Sequence, residues 1–331
     1  MNKKVILLGY TNISHTNWYP WNRFKKTFDE LNLESEWTEV HNFKREANKS
    51  YVFVCWNLPD VLDLINMNLL KKDDIVFQKV TSMTKRDSAV TWGSDPDSFH
   101  KSWSWPAYKM CLDVLDMGYN LYAFGCKTSY EEFPIKKKYI EALGNRMIMI
   151  PWSTCMFSHE ELQQQKPITT EGEFDCAFVG SIWGRKGRGN LESVKDYLMP
   201  VLKSAEKTYL AGAGTSIGPI SNEKHVEVIK NSNLCPIINA PSWRSEKGVQ
   251  DRFWTVFASG RFGVADSEGV YDFFDTKDVV CETDPEEYVE KSLYYMNNID
   301  KQIPFIEKIQ KRIKQEYNWN ENFKKIFGVI K

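Results

Sequence analysis

The 331-residue sequence has no apolar run near the roughly 20 residues needed to cross a bilayer. Met1-Asn2-Lys3-Lys4 leads directly into a strand-like run, with no signal-type apolar region between. Both absences point to a cytoplasmic protein without membrane insertion. The seven cysteines (Cys55, Cys111, Cys126, Cys155, Cys176, Cys235, Cys281) stand singly, and no CxxC occurs. An odd number of scattered, mostly apolar-flanked thiols reads as small buried hydrophobes in a reducing compartment, against a disulfide framework or a zinc site. The histidines lack ligand spacing, so a His-based metal site has no support. Net charge is −1, so no global field draws a polyanion, and such a contact must come from a local basic patch. Repeats and low-complexity segments are absent.

What is present is ordinary for a soluble protein in bulk: 42% hydrophobic and 26% charged residues. The length exceeds what one core usually supports, which predicts two domains. Aromatics reach 14%, with 12 tryptophans, mostly as core or interface anchors and a few able to stack on sugar or base rings.

Along the chain, Val5–Leu8 is a four-residue apolar run ended by Gly9, the pattern of a buried parallel strand. Trp21, Phe24, Phe28 and Leu31 then repeat at helical spacing behind Pro20. Strand-like runs follow at 51–55, 75–80, 121–124 and 147–150, separated by helical stretches such as 59–70 and 107–117. The polar stretch 158–173 carries no apolar periodicity and reads as a linker. Beyond it the alternation restarts: strand 175–179, helix 191–204, strand 207–211, helix 222–231, strand 234–238, helix 249–259, strand 262–265, then helices to the end. The expectation is an α/β protein of two Rossmann-like domains, 1–157 and 174–331, the second including the final helices. Ligands in such sheets bind outside the carboxyl ends of strands, and two such edges are expected to face each other across a cleft.

The stretch "FVGSIWGRKGRGN", 178–190, follows a strand and mixes glycines with Arg185, Lys186 and Arg188. Glycines admit a ligand close to the backbone, a helix starting near Asn190 offers free N–H groups, and the cations add charge-assisted hydrogen bonds. An anion cradle and a solvated basic loop both fit. The stretch is not a Walker loop, because GxxxxGK with a following Ser or Thr is missing. Gly212-x-Gly214 also follows a strand, but Ile217 stands where a dinucleotide fingerprint needs glycine, which leaves a tight turn as the simpler reading. Asp95 and Asp97 lie two apart around Pro96 in a Trp-Gly-Ser loop, which favours an Asx-type turn over a metal site and leaves Asp95 as a candidate base. His15, in the loop after the first strand, is either a hydrogen-bonded loop histidine or a general base.

The segments "NEKHVEVIKNSNLCPIIN" and "VQDRFWTVFASGRFGVADSEGVYDFFDTKDVVCETDPEEYVEKSLYYM" sharpen this reading. They resemble the carboxyl-terminal donor domain of GT-B glycosyltransferases, in particular the group-1-like branch that includes CgeB-type proteins. Arg252, Ala258, Gly260 and Asp266 fall at the matching places, Asp284-Pro285-Glu286-Glu287 opens the next helix, and Phe178–Ser181 matches the first strand and loop. The resemblance spans about 174–325. Two family glutamates are missing: one aligns with Thr255, and its partner with Lys247, one position from Glu246.

The resemblance implies sugar transfer from a nucleotide-sugar, most simply a UDP-sugar, with no other cofactor and no metal. The donor contacts it implies are Gly180, Ser181, Arg185, Lys186, Arg252, Thr255, Asp266 and Glu268. The acceptor, a glycan or small molecule, is expected against loops of the first half, where His15 and Asp95 position or deprotonate it. Two rivals stand beside it. One is a viral-type DNA glycosyltransferase using Lys85-Arg86, Lys136–Lys138 and 185–188 as a phosphate track, with Trp103 and Trp105 for stacking. The other is a binding protein that kept the fold and lost transfer.

Overall fold

The computed structural model describes residues 3–13, 18–56, 58–79, 112–125, 140–185, 188–245 and 247–329. Two compact units divide them, one formed by Met1–Ile150 with Trp319–Lys331, the other by Pro151–Asn318.

In unit 1, strands β1 (Lys4–Leu8), β2 (Ser35–Thr38), β3 (Tyr51–Cys55), β4 (Ile75–Lys79), β5 (Asn120–Gly125) and β6 (Met147–Met149) form one parallel sheet in the order β2-β1-β3-β4-β5-β6. Val5 to Leu8 and Val52 to Cys55 are fully buried, as continuous apolar runs are when both sheet faces are covered. Helix α1 (Trp18–Glu30) buries Trp21, Phe24, Thr27 and Phe28 on one stripe; α2 (Leu58–Asn66) follows β3.

In unit 2, the parallel sheet β10-β7-β11 is built from β7 (Phe174–Val179), β10 (Thr208–Ala211) and β11 (Ser232–Leu234). Isolated parallel bridges Ile237↔Ala265 and Ala265↔Cys281 extend it, so the order in chain terms is 2-1-3-4-5, that of the first five strands of unit 1. The expected strands at 234–238 and 262–265 are thus single-bridge contacts continuing the sheet. Helix α3 (His159–Gln164) precedes the sheet. After a hairpin of β8 (Gly184–Arg185) and β9 (Arg188–Gly189) comes α4, 191–204. It runs Leu191–Ser193, a π turn Val194–Leu198, then Met199–Ser204. The remaining helices of the unit are α5 (Asn222–Lys230), α6 (Pro241–Ser245), α7 (Asp251–Ala258), α8 (Pro285–Met296) and α9 (Ile299–Gln315).

Two boundaries differ from the sequence reading. The stretch read as a linker holds α3, which has a full capping box: Ser158 accepts from Glu161 N and the Glu161 side chain accepts from Ser158 N. It is fixed to unit 2, since Ile168 N donates to Gly260 O (2.9 Å) and Gly260 (φ 83°) leaves no room for a Cβ against Lys166 O. The last helix, α10 (Trp319–Gly328), returns to unit 1. Its Trp319 and Phe323 rings meet Phe24 at 4.4 and 4.9 Å, and Phe323 meets Phe28 at 4.7 Å. Aromatic stripes on two helices nearly 300 residues apart complete each other, which periodicity alone does not reveal.

The described cysteines, Cys55, Cys155, Cys176, Cys235 and Cys281, are all free, and burial drives the Cys235 thiol up to about 12. Cys111 and Cys126 lie outside the described residues.

Candidate functional site

In a doubly wound sheet of this order, the crevice for ligands opens where the first and third strands part, at their carboxyl ends. In unit 2 that point lies between β7 and β11. Arg252, in the first turn of α7, closes it from below: its Nη1 donates to Ile238 O (3.0 Å) and its Nε to Val179 O (3.4 Å), with the guanidinium 4.1 Å from the Phe178 ring centre. Burial lowers its pKa to about 10, so it remains charged at neutral pH while holding two strand ends together. This explains the glycine at 180, where a Cβ would lie 2.0 Å from Arg252 Nη2.

The segment after β7 is ordered by Asn190. Its Oδ1 accepts from Trp183 N (2.9 Å) and its Nδ2 donates to Ser181 O (2.8 Å), while its backbone N donates to Trp183 O (2.9 Å). Because that side chain clamps the loop, it does not cap α4, whose first N–H groups lack a side-chain cap. Between the clamp points the β8–β9 register sets Arg185 opposite Arg188. Ser181 is exposed. Gly212 and Gly214 serve this loop: a Cβ on either would strike Gly180 O or Ile182 O at 2.2 and 2.1 Å. The Gly-x-Gly pair is therefore a backbone-to-backbone packing device and a tight turn.

Asp266 is fully buried directly after the bridge residue Ala265. Its carboxylate accepts from Asn239 N (2.8 Å), from the Asn239 side-chain amide and from Arg244 Nη1 (3.0 Å). Burial pushes its pKa up against these bonds. Arg244 is gripped on two further sides, with Ser193 Oγ 3.4 Å from Nη1 and the guanidinium 4.4 Å from the Tyr197 ring centre. Tyr197 sits in the π turn of α4 and is itself anchored through its hydroxyl, which donates to Thr283 O (2.5 Å). Single π turns are frequent at functional sites, and this one aims a ring at a cation.

The remaining candidates are placed as follows. Thr255 is fully buried; its hydroxyl meets Thr154 Oγ1 at 2.8 Å and Asp251 Oδ2 at 3.3 Å, so it faces the interior and not an open crevice. Asp251 is enclosed beside it, and burial raises its pKa to about 7, with hydrogen bonds from Thr255 and Cys155 N opposing. Glu268 is exposed and pairs with Lys247 Nζ at 3.0 Å. Lys186, His15 and Asp95 lie outside the described residues, as do Lys85-Arg86, Lys136–Lys138, Trp103 and Trp105. Sequence reasoning missed Arg244 and Asn190. Arg244 sits in no motif, and Asn190 closes the glycine stretch where it read only as a helix start, so the fold alone shows what each side chain holds.

Unit 1 has its own carboxyl edge. Tyr10 (φ 60°) follows Gly9, and its ring lies 5.6 Å from Trp21 and 6.0 Å from Trp56. Lys79 Nζ stands 3.2 Å over the Trp56 ring, and Glu39 accepts from Thr11 N and Thr11 Oγ1, both at 2.8 Å.

Residues 165–328 match the family model described as glycosyl transferase-like. The solved T4 phage BGT, in complex with its UDP-glucose substrate, is similar at a TM-score of 0.62 and 12% identity, over 98% of this chain and 99% of that one. The chain is a GT-B-fold glycosyltransferase. An alpha-glucosyltransferase in complex with UDP-glucose and DNA containing an abasic site resembles this glycosyltransferase at a TM-score of 0.64 and 10% identity, over 99% of both chains. TarM of S. aureus aligns at 0.54 and 11%, over 84% of this chain and 55% of its own. No curated protein matches the glycosyltransferase. The family match is to the broad family and does not single out its CgeB-type branch. Among the described residues no three His, Cys, Asp or Glu side chains gather as a metal site would require, and no helix is long and apolar enough to cross a membrane. One solved T4 phage BGT holds UDP and Mn2+.

Proposed function

We propose that this glycosyltransferase takes a UDP-sugar at the carboxyl edge of the unit 2 sheet and transfers the sugar to an acceptor hydroxyl. The observation that carries this reading is Arg244, a guanidinium fixed at that edge by Asp266, Ser193 and Tyr197. The same edge holds Gly180, Ser181 and the basic hairpin, with Lys186 between its arginines in sequence.

The chemistry gives those charges work to do. As the acceptor oxygen bonds to the anomeric carbon, the bond from that carbon to the β-phosphate oxygen breaks. UDP leaves with the electron pair, and the acceptor proton passes to a base. Negative charge on the leaving group peaks in the transition state, where prearranged cations and N–H groups stabilise it most. In this reading Arg252 and Asp266 act by positioning, one holding strand ends and the other holding Arg244. Thr255 supports the interior. Glu268 is the carboxylate offered to the ribose, and His15 and Asp95 are the acceptor-side candidates for the base. The cations meet the leaving-group charge without a metal, which turnover in EDTA against added Mn2+ checks.

Thermal shift with UDP, UDP-sugars and GDP-sugars tests the donor reading. UDP and at least one UDP-sugar are expected to raise the melting temperature by mass action, with slow UDP release from that sugar. No shift and no release across the panel overturns it in favour of a binding protein that has lost transfer.

A second reading of the acceptor, a hydroxymethylated base in DNA, is supported by the near-complete mutual coverage with the T4 phage BGT and the DNA-bound alpha-glucosyltransferase. Titrating duplex DNA at rising salt decides it. A steep loss of affinity supports phosphate contacts, and a slope near zero removes the reading.

A further inference from the structure

Away from the donor edge, unit 2 contains a cavity of about 590 Å³ along the outer side of its last bridge strand. The volume lies within the range of small-molecule sites, roughly 300–1,000 Å³. One wall is the outward stripe of α8, where Glu287, Lys291 and Tyr294 follow one another at helical i, i+4, i+7 spacing with Glu290 between. The opposite wall is the segment from Tyr271 to Cys281, which also brings Lys277.

The floor is aromatic. Tyr295 packs on Phe262 at 4.7 Å and on Phe305 at 5.8 Å, so its ring is held from behind. Tyr294 meets Tyr295 edge-on at 5.1 Å and stays half exposed (50%), and Tyr271 is 38% exposed across the groove. Two large, partly exposed rings at one cavity are an unusual feature on a surface, where apolar rings ordinarily scatter singly.

The polar groups define the ligand's charge. Two lysines and two glutamates line the cavity, and with Glu282 beside Lys291 the group carries no excess of positive charge. Lys291 is engaged by Glu282 (2.6 Å), whereas Lys277 and Glu290 form no ion pair among the described residues. A polyanion such as a nucleic-acid backbone meets at least as much repulsion as attraction here. The surface instead presents separate hydrogen-bond donors and acceptors around flat apolar rings. A molecule that satisfies it has apolar faces, many hydroxyls and no net charge.

We infer that this cavity is a second ligand site, separate from the donor edge, that binds a neutral glycan of one to a few sugar units. Tyr271 and Tyr294 stack on the sugar faces, and Lys277 and Glu290 bond their hydroxyls. The turn Glu268–Asp272 links the two places, carrying Glu268 at one end and Tyr271 near the other. A glycan seated here leaves the donor edge unoccupied.

The proposal does not rest on the donor reading, and its test reads binding, not transfer. Full-length protein is passed over an array of neutral, sulfated and phosphorylated oligosaccharides, and the retained glycan is titrated by saturation-transfer NMR with the wild type, Tyr294→Ala and Tyr271→Ala. Neutral oligosaccharides are expected to be retained, with affinity falling roughly tenfold or more in Tyr294→Ala, about 1.4 kcal/mol. UDP affinity, measured on the same samples, should change less than about twofold. The exposure of Tyr294 means its truncation leaves the core intact, which the melting temperature verifies, and Tyr271→Ala provides an independent second probe. Retention of no neutral glycan, preference for the charged glycans, or titrations unchanged in both variants would each overturn the assignment. Loss of UDP binding in the wild type would sink the donor reading alone.

Discussion

The two sheets share the order 2-1-3-4-5 over their first five strands, and so each has its opening between the first and third strands. Their edges are furnished in opposite ways. In unit 1 the chain leaves β1 through Gly9 into Tyr10, and the rings of Tyr10, Trp21 and Trp56 cluster there, with Trp21 Nε1 and Trp37 Nε1 each donating to a backbone carbonyl at 2.7 Å. In unit 2 the chain leaves β7 through Gly180 into a clamped basic hairpin, and the edge is lined by arginines held by carbonyls and a carboxylate. Topology supplies a place for a ligand twice. Side chains set the two places apart, with aromatic rings at one and tethered arginines at the other.

The sharpest test of this contrast exchanges the edges in a single assay. Arg244→Gln is expected to lower kcat/KM for the UDP-sugar by about a hundredfold, roughly 2.7 kcal/mol, while Trp56→Ala in unit 1 leaves the Kd for UDP within twofold. Uridine binding should survive Arg244→Gln, because the lost contact is to phosphate. Equal losses for uridine and UDP would make Arg244 a structural residue and blur the distinction between the edges.

Asp251 gives the next largest effect, and it depends on pH. Its folded pKa of about 7 lies far above the unfolded value of about 3.9, so between these limits the folded state holds a proton that the unfolded chain has released. Stability from this group is present below pH 4 and is lost as pH rises through 7. Asp251→Asn should therefore melt near the wild type at pH 5 and higher than it at pH 8, by about 2 kcal/mol, less than the full ionisation cost because an amide stays buried. A parallel melting profile at both values would contradict the buried-acid assignment.

Gly180→Ala follows at about 1–2 kcal/mol of destabilisation by chemical denaturation, since the new methyl overlaps a guanidinium that is tied to two strand ends. Lys at 252 should partly absorb that methyl, so Arg252→Lys in the Gly180→Ala background recovers part of the loss. Smallest is Glu268→Gln, expected within 0.5 kcal/mol in stability because its pair with Lys247 is solvent-exposed. Any larger consequence should show in the KM for donor. A change in folding with none in KM would remove Glu268 from the ribose.

The elements were largely legible because their signals are local. Apolar runs such as Tyr51–Cys55 and the Trp21, Phe24, Phe28 spacing map directly onto β3 and α1. The helix α3 was legible too, through Ser158-x-x-Glu161, but a polar composition hid it. The site was legible only where the chain is continuous, at 178–190. Thr255 and Asp266 align with donor-contact positions, yet both turn into the interior, because a residue's place in a motif does not fix whether its side chain meets solvent.

The sequence by itself determined two α/β halves, the strand that precedes the basic glycine loop, and the donor-domain pattern around Arg252 and Asp284–Glu287, since all of these depend on near neighbours along the chain. Only the tertiary structure decided that α10 returns to α1, that Arg252 is a strut, and that Arg244, Asn190 and Tyr197 converge on one edge. Those outcomes rest on contacts between residues tens to hundreds of positions apart, where burial and hydrogen-bond satisfaction choose partners that no local pattern encodes.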